Sequence, residues 1–162
     1  MQYMNKVFLL IGGNMGDRLQ NLHQAIDLLA ATCGPVTQQS AVYETAAWGK
    51  TDQPAFLNQA LALTTALTAQ ELITTVLSVE ETMGRHRLEK FGPRIIDIDI
   101  LFFNDVVMQE PNLTIPHPQL QNRRFVLAPM EEIAPELVHP VLKKTIEQLL
   151  LECPDQLEVK KM

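Results

Sequence analysis

The stretch G-P-R-I-I-D-I-D-I-L-F-F, residues 92–103, decides how the chain is interpreted. Most of it consists of the large apolar residues of a buried strand, but Asp97 and Asp99 interrupt the run. Successive side chains of a strand point to opposite faces, so the two aspartates share one face and the neighbouring isoleucines at even-numbered positions share the other. The stretch therefore predicts a strand with an apolar, core-facing side and an acidic side.

The two aspartates need either open solvent or a positive partner. In a strand, their Cα atoms lie roughly 6–7 Å apart. At an effective dielectric constant of 20, two like charges at that distance repel by about 2.5 kcal/mol. Water at an exposed sheet edge would screen this repulsion, and divalent cations bridged by phosphates would offset it. The D-x-D pattern alone leaves both interpretations open.

Basic residues cluster around this strand in the sequence. They are Arg85, His86, Arg87, Lys90 and Arg94 before it, with Arg123 and Arg124 downstream. A guanidinium group can bind two phosphate oxygens at once, and cations beside a carboxylate metal site suit a polyphosphate. His117, held between two prolines, could hydrogen-bond a phosphate or a sugar, or could simply be a structural turn residue. A solvated basic loop is the alternative reading of the cluster.

Length and composition bound the class of protein. The chain has 162 residues, of which 46% are hydrophobic, and this suits a single domain spanning residues 1–162. The net charge of -6 argues against a nucleic-acid binder. The sequence contains no apolar run of membrane-spanning length and no secretory signal, and its two cysteines fit no metal or redox spacing. We expect a cytoplasmic protein with reduced thiols and no membrane partner.

The order of predicted elements indicates an α+β fold. Asp17 is a suitable N-cap for the first helix, and Thr68 with Glu71 forms a capping box for the second. Strands are predicted over residues 6–11, 36–45, 57–65 and 95–103, with residues 106–109 as a hairpin partner of the last. This βαββαβ order is ferredoxin-like and predicts a mainly antiparallel sheet with helices on one face. Extra C-terminal helices are predicted over residues 123–133 and 144–152.

Two further features leave their roles open. The turn G-G-N-M-G, residues 12–16, matches neither a P-loop nor a dinucleotide-binding fingerprint, so we interpret it as structural. Phe56 and Phe125 could belong to the core or could stack on a flat heterocycle. Asn58 carries both a donor and an acceptor, and it could therefore pair with the amide edge of such a ring.

Several segments resemble one known family. Residues 90–103, K-F-G-P-R-I-I-D-I-D-I-L-F-F, closely resemble the signature of the 6-hydroxymethyl-7,8-dihydropterin pyrophosphokinases of folate biosynthesis. The resemblance continues almost from end to end. It includes I-G-G-N-M-G-D at residues 11–17, Y-E-T-A-A-W-G-K-T-D-Q-P-A-F-L-N at 43–58 and L-T-I-P-H-P-Q-L-Q-N-R-R-F-V-L-A-P-M-E-E-I-A-P-E at 113–136.

The resemblance implies a function and a set of site residues. The family transfers the terminal pyrophosphoryl unit of ATP to the hydroxymethyl oxygen of the reduced pterin, leaving AMP. Two Mg²⁺ ions would be held by Asp97 and Asp99, which form the catalytic set together with Arg85 and Arg94. The implied ATP-binding residues are Arg85, Arg87, Arg94, Ile100, Thr114, His117 and Arg123. The implied pterin-binding residues are Thr45, Trp48, Phe56, Asn58 and Phe125. The family fold is ferredoxin-like and usually monomeric.

The chain departs from the family pattern at a few positions, and two other functions are compatible with the residues. Ala46 and Ala47 stand where prolines are frequent, Phe91 where tryptophan is common, and Pro118 where a tyrosine commonly follows the histidine. One alternative is another metal-dependent nucleotidyl or phosphoryl transferase with a non-pterin acceptor. The other is a non-enzymatic binding module, which would leave the arginines beside the aspartates unexplained.

Overall fold

A computed structural model describes residues 4–46, 53–85 and 94–162 of the chain. Its elements are β1 (Asn5–Gly13), α1 (Arg18–Thr32), β2 (Val36–Gln39), β3 (Tyr43–Thr45), β4 (Phe56–Thr65), α2 (Ala69–Thr82), β5 (Asp97–Phe103), β6 (Met108–Glu110), β7 (Leu113–Ile115), a 3₁₀ turn (Leu120–Asn122), α3 (Arg124–Ile133), α4 (Ile146–Leu151) and β8 (Val159–Lys161). Within these residues, no helix is both long enough and apolar enough to cross a membrane.

The main sheet confirms the ferredoxin-like prediction. Its strands lie in the order β5-β1-β4-β3-β8, and β2 pairs with β4 beside β3. Every pairing is antiparallel. The two predicted caps are present as well: Asp17 accepts a hydrogen bond from Gln20 N, and Thr68 and Glu71 form the reciprocal capping box. Local capping signals and strand order thus agree with one another.

Helices cover both faces of the sheet. One core cluster joins α1 and α2 to the sheet residues that include Leu9, Leu61 and Ile98. A second cluster joins α3 and α4 to the opposite sheet face, which carries Phe8 and Phe102. The predicted helices on one face are therefore α1 and α2, and the extra C-terminal helices form a third layer.

Strand β5 has the predicted division of its two faces. Ile98 and Ile100 are buried in the cluster beneath α1 and α2, whereas Asp97 and Asp99 lie on the other side. The register with β1 shifts where Phe8 faces Phe102 and Leu9 faces Ile100, so Leu101 is an extra residue at a β-bulge. The bulge explains how the run of apolar residues after Asp99 supplies side chains to both cores.

Two strand predictions were wrong in detail. The predicted strand over residues 36–45 is divided into β2 and β3 at Ser40, whose backbone N still donates to the carbonyl of Ala60 but whose hydroxyl, in place of its carbonyl, accepts from Ala60 N. The predicted partner of β5 at residues 106–109 pairs instead with β7 in a separate two-stranded sheet. Asn104 adopts a left-handed conformation (φ 50°), and this turn directs the chain away from β5.

Candidate active site

The first cavity opens at the acidic face of β5. Strand β3 contributes Thr45, β4 contributes Phe56 and Asn58, and β5 contributes Asp97 and Asp99. The remaining lining residues are Leu10, Gly12, Ala46, Arg94, Arg123 and Phe125. Aromatic rings, an amide and four charged side chains therefore border one space, which suits a flat polar heterocycle with its reactive end at the carboxylates.

A second cavity lies between α2, β5 and the segment that follows β6. It is lined by Ile73, Leu77, Ile98, Asp99, Ile100, Pro111, Asn112, Leu113, Thr114, His117 and Pro118. The backbone N–H of His117 donates to the carbonyl of Leu101 at 3.1 Å, and this bond fixes the histidine segment against β5. The walls are mostly apolar with a few polar groups, as expected of a small-molecule site.

Asp99 borders both cavities, and Asp97 borders the first. Any two ligands that occupied the two cavities together would consequently meet at the acidic face of β5. The position of this face follows from the strand itself, because side chains at i and i+2 project together.

Two arginines hold Asp97 from different directions. Arg94 Nη1 lies 3.0 Å from Asp97 Oδ2, and Arg85 Nη1 lies 3.5 Å from Asp97 Oδ1. The guanidinium group of Arg94 also lies over the ring of Phe56, with Cζ 5.7 Å from the ring centroid. The charged groups near the cavity are thus brought together from the segment after α2, from the segment before β5 and from β5 itself.

Glu80 of α2 anchors Arg85 from the opposite side. Its carboxylate is buried, accepts from Arg85 Nη1 at 3.2 Å through Oε1 and accepts from Ile98 N at 2.7 Å through Oε2. A buried carboxylate is stable only when its charge is paired and hydrogen-bonded. Glu80 therefore fixes Arg85 relative to β5, although no sequence motif pointed to it.

Two buried polar atoms at the site have no hydrogen-bond partner among residues 4–46, 53–85 and 94–162. They are Oγ1 of Thr45, in the lining of the first cavity, and Nε of Arg85. A buried donor or acceptor without a partner costs about 1–3 kcal/mol, so such atoms at a cavity favour a polar ligand.

The pKa of Asp99 reflects the crowding of negative charge. This pKa is raised to about 7, chiefly by burial and also by the charges of Asp97 and Glu80, against the opposing effect of Arg123 and Arg85. A divalent cation at the pair would replace the proton and stabilise both carboxylates.

The acidic pair matches the donor set of a magnesium site that is completed by substrate. No group of three or more His, Cys, Asp and Glu side chains suited to a metal occurs in the described ranges. Mg²⁺ is commonly bound by one or two carboxylates together with water and substrate phosphates. Asp97 and Asp99 supply those two carboxylates on one strand face.

His117 stays neutral over the physiological range. Its pKa is lowered to about 4, chiefly by burial and also by the positive charge of Arg123, while Asp97 has the opposite effect. The ring accepts a hydrogen bond from Gln119 N at Nδ1, 3.2 Å away. Since Nδ1 is an acceptor, the neutral ring carries its proton on Nε2, which is a donor suited to a ligand oxygen.

Residues 8–135 match the sequence profile of the 7,8-dihydro-6-hydroxymethylpterin-pyrophosphokinase (HPPK) family. The chain belongs to this family. As a member it is an enzyme of folate biosynthesis, a pyrophosphokinase. The family resemblance of the sequence motifs is thereby confirmed.

Curated relatives support the assignment over most of the chain. A 2-amino-4-hydroxy-6-hydroxymethyldihydropteridine pyrophosphokinase from Synechocystis sp. is 45% identical over 141 residues, which cover 86% of this chain and 72% of the relative. A pyrophosphokinase of the same name from Aquifex aeolicus is 40% identical over 145 residues, which cover 90% of this chain and 90% of the relative.

Solved structures share the fold at lower identity. The wild-type HPPK-DHPS of Plasmodium falciparum, solved with pterin and p-hydroxybenzoate, is similar with a TM-score of 0.75 and 20% identity. The match covers 93% of this chain and 42% of that one, so this chain spans less than half of the Plasmodium protein. At this identity the likeness supports the ferredoxin-like fold.

The enzyme brings most of the predicted residues to the two cavities. Thr45, Phe56, Asn58 and Phe125, predicted for the pterin, border the first cavity. Of the residues predicted for ATP, Ile100, Thr114 and His117 border the second cavity, and Arg94 and Arg123 border the first. Arg85 contacts Asp97 directly. The predictions for Trp48 and Arg87, and the departures at Ala47 and Phe91, lie outside the described residues.

The glycine-rich turn of the enzyme proves to be part of the site's framework. A Cβ atom on Gly12 would overlap Oδ1 of Asn58, and one on Gly13 would overlap the carbonyl oxygen of Ile95. Only glycine allows β1 to approach both strands this closely. The sequence predicted a structural role for this turn. The close approach of Gly12 to Asn58, and of Gly13 to the backbone of Arg94 and Ile95, is consistent with that role.

Asn14, in the same turn, is a second site residue, after Glu80, that was not predicted from the sequence. Its side chain is buried and donates from Nδ2 to Gln53 Oε1 and to the carbonyl of Pro54, each at 3.0 Å. Its Oδ1 accepts from Arg94 N at 2.9 Å. An asparagine in a glycine-rich stretch resembles an ordinary turn residue, so only the long-range contacts reveal its role.

Proposed function

We propose that the enzyme transfers the pyrophosphoryl group of ATP to the hydroxymethyl oxygen of 6-hydroxymethyl-7,8-dihydropterin, giving the pterin diphosphate and AMP. The observation that carries the proposal is the position of Asp99, which borders both cavities. A pterin in the first cavity and a nucleotide in the second would place their reacting groups at this carboxylate.

The proposed pterin site is the first cavity. Phe56 and Phe125 offer ring faces for stacking, Asn58 offers a donor and an acceptor, and the unpaired Oγ1 of Thr45 offers another hydrogen bond. We also assign Trp48 to the pterin on the family resemblance. Burial of a flat ring between aromatic faces with a few polar contacts at its edge is the usual basis of such recognition.

The proposed nucleotide site is the second cavity with the arginines beside it. Ile100, Thr114 and His117 would contact the nucleoside, and the neutral His117 would donate from Nε2. The phosphates would be bound by arginines, namely Arg85, Arg87, Arg94 and Arg123. The charge of Arg123 acts on both Asp99 and His117, and this is consistent with a position between the nucleotide and the pterin.

Asp97 and Asp99 would hold two Mg²⁺ ions. When bound with ATP, these ions would neutralise charge on the phosphate oxygens and make the β-phosphorus more electrophilic. The raised pKa of Asp99 supports this assignment, because the carboxylate pair lacks enough positive charge of its own. Arg85 and Arg94 orient Asp97 through their contacts of 3.5 and 3.0 Å.

The reaction then depends on alignment and charge. The hydroxymethyl oxygen forms a bond to the β-phosphorus, the bond from that phosphorus to the oxygen bridging to the α-phosphate breaks, and AMP departs with the electron pair. The hydroxyl proton passes to solvent. Arg85 and Arg94 stabilise the charge that develops on the phosphate oxygens, and stacking in the first cavity holds the hydroxymethyl group in line.

An assay of the nucleotide product tests the proposal. Full-length enzyme with Mg²⁺ and ATP should release AMP only when hydroxymethyldihydropterin is present, and Asp97→Ala should abolish turnover. Release of ADP would show that the γ-phosphorus is attacked and would overturn the assignment. Release of AMP without the pterin would point to another acceptor.

We further propose that residues 1–162 form one domain, that the enzyme is a monomer, and that it works in the cytoplasm on these two small substrates. The match of residues 8–135 to one family supports the single domain. Sedimentation of the full chain at several concentrations would test the monomer, because a self-associating protein would sediment faster as its concentration rises.

A further inference from the structure

The C-terminal segment, residues 153–162, returns to the main sheet after α4 and pairs with β3, which borders the first cavity. Strand β8 pairs with β3, so that Val159 faces Thr45 and Lys161 faces Tyr43. The segment lies beyond residues 8–135, which match the family profile. Through β3 it supports the wall of the cavity that carries Thr45.

Asp155 in this segment is bound to the start of α3. Its side chain is buried, and its Oδ2 accepts from Arg124 N at 3.1 Å while Oδ1 accepts from Leu157 N at 2.9 Å. In return, Arg124 Nε donates to the backbone oxygen of Asp155 at 3.1 Å. The C-terminal segment and the first helical residue of α3 are therefore held together in both directions.

The contact substitutes for a local cap. Arg123 occupies the N-cap position of α3 and makes no capping bond with its own side chain in the described structure. The first N–H groups of a helix need acceptors from outside the helix, and a negative charge there is favoured by the helix dipole. The carboxylate of Asp155, which lies 31 residues further along the chain than Arg124, supplies both the acceptor and the negative charge.

The residues on either side of Arg124 belong to the first cavity. Arg123 and Phe125 both line it, and the guanidinium Cζ of Arg123 lies 5.8 Å from the centroid of the Phe125 ring. The backbone position of Arg124 sets where both side chains project. Loss of its partner would loosen the turn that carries them.

We propose that Asp155 is a positioning residue for the first cavity, fixing Arg123 and Phe125 through the first turn of α3. The inference rests on the proposed function, since it assigns the pterin to that cavity. Residues Ile100, Thr114 and His117 of the second cavity are not among the partners of Asp155. Asp155 reaches the nucleotide only through Arg123, one of four arginines assigned to the phosphates, whereas Arg123 and Phe125 both border the proposed pterin cavity. The pterin should therefore be affected more than MgATP.

The test compares two variants of the full chain, Asp155→Ala and Glu158→Ala. Glu158 lies in the same segment, carries the same charge and is exposed, so it is the matched control. For Asp155→Ala we expect the KM for hydroxymethyldihydropterin to rise about tenfold or more and the Kd for MgATP to rise by a clearly smaller factor, because Arg123 is one of four arginines assigned to the phosphates. The control should match the wild type.

The outcomes separate the inference from the proposed function. Equal losses of affinity for both substrates, or no change in the pterin KM, would overturn the positioning role whatever happens to the melting temperature. If Asp155→Ala fails to fold, Asp155→Asn keeps one acceptor oxygen, and its pterin KM should exceed that of the wild type with MgATP binding retained. If the wild-type enzyme does not use the pterin at all, the proposed function itself fails.

Discussion

Asn14 and Arg94 exchange two hydrogen bonds, each of 2.9 Å. Arg94 N donates to Asn14 Oδ1, and Asn14 N donates to the carbonyl of Arg94. The pair joins the end of β1 to the residue whose guanidinium group contacts Asp97. Because Asn14 also binds Gln53 and Pro54, one buried amide connects three chain segments at the site.

Asn14→Ala should therefore damage both stability and turnover. It removes three side-chain bonds and leaves Arg94 N without its acceptor, so we expect a loss of about 1–3 kcal/mol in the free energy of unfolding. A displacement of Arg94 that cost about 1.4 kcal/mol in the transition state would lower kcat about tenfold. Urea unfolding and AMP release measure the two effects.

Asn21→Ala is the control for Asn14→Ala. Asn21 lies near the start of α1 and donates to the carbonyl of Met15 at 3.0 Å, so its replacement removes an amide that contacts the same turn without touching Arg94. We expect near-normal kcat for this variant. Equal activity in both variants would contradict the role assigned to Asn14.

The acidic strand face could be predicted from the sequence because strand periodicity is local. Alternation alone placed Asp97 and Asp99 on one face, and capping signals at Asp17 and Thr68 located both helix starts correctly. The assignment of Phe56 to a cavity needed the family resemblance, since an isolated aromatic residue fits a core equally well.

Asn14, Glu80 and Asp155 could not be predicted because their roles depend on distant partners. Asn14 binds residues 39 to 80 positions away, and Glu80 accepts from Ile98 N at the start of β5. The partners of a buried polar group are set by strand register and helix packing, and no short spacing in the sequence encodes them. The division of β2 from β3 was missed for the same reason, since Ser40 bonds across to Ala60.

Asp99→Asn should stabilise the metal-free enzyme above neutral pH. The folded-state pKa of Asp99 is about 7 and its ordinary value is 3.8, so the folded state binds more protons between these values. The contribution of Asp99 to the free energy of unfolding is fully present at low pH and is lost as pH rises towards 7. Relative to the wild type, the variant should gain up to about 1.4 kcal/mol per pH unit across this window.

Urea unfolding in EDTA at pH 4.5 to 8 measures this difference, with Asp105→Asn as the control. Asp105 is exposed in the turn after β5, so its removal should leave the pH dependence of the wild type in place. A difference between wild type and Asp99→Asn that stays constant with pH would contradict the raised pKa. Mg²⁺ with ATP should stabilise the wild type more than this variant.

His117→Asn should have the opposite pH dependence. The folded-state pKa of His117 is about 4, below its ordinary value of 6.5, so the unfolded state binds more protons between these values. The free energy of unfolding of the wild type therefore falls as pH is lowered from 6.5 to 4. The variant lacks this loss, because asparagine does not take up a proton in this range. Asparagine can still accept from Gln119 N, which limits the structural change.

The comparison with His23→Asn identifies the source of the effect. His23 is exposed on α1, and its replacement should leave the acid side of the stability curve unchanged. Thermal unfolding at intervals between pH 4 and 7 would record both curves. If His117→Asn and the wild type lose stability in parallel on acidification, the imidazole is not the group responsible.

Glu80→Ala should be the most destabilising of these changes. Removing one partner of a buried ion pair costs up to about 3–5 kcal/mol, because the remaining charge stays buried with less compensation. Here the remaining charge is Arg85, whose side chain is only 7% exposed and keeps its 3.5 Å contact with Asp97, and Ile98 N loses its acceptor as well. The neighbouring Glu81 is exposed, so Glu81→Ala should change the free energy of unfolding by less than about 0.5 kcal/mol.

Glu80→Gln separates the two functions of this carboxylate. The amide oxygen can still accept from Ile98 N, so β5 keeps its contact with α2, but the negative charge opposite Arg85 is gone. We expect stability between that of the wild type and Glu80→Ala, with a clear fall in kcat, because Arg85 would then be drawn towards Asp97 alone. Unchanged kcat in a folded Glu80→Gln enzyme would mean that Asp97 and its ligands orient Arg85 without help from α2.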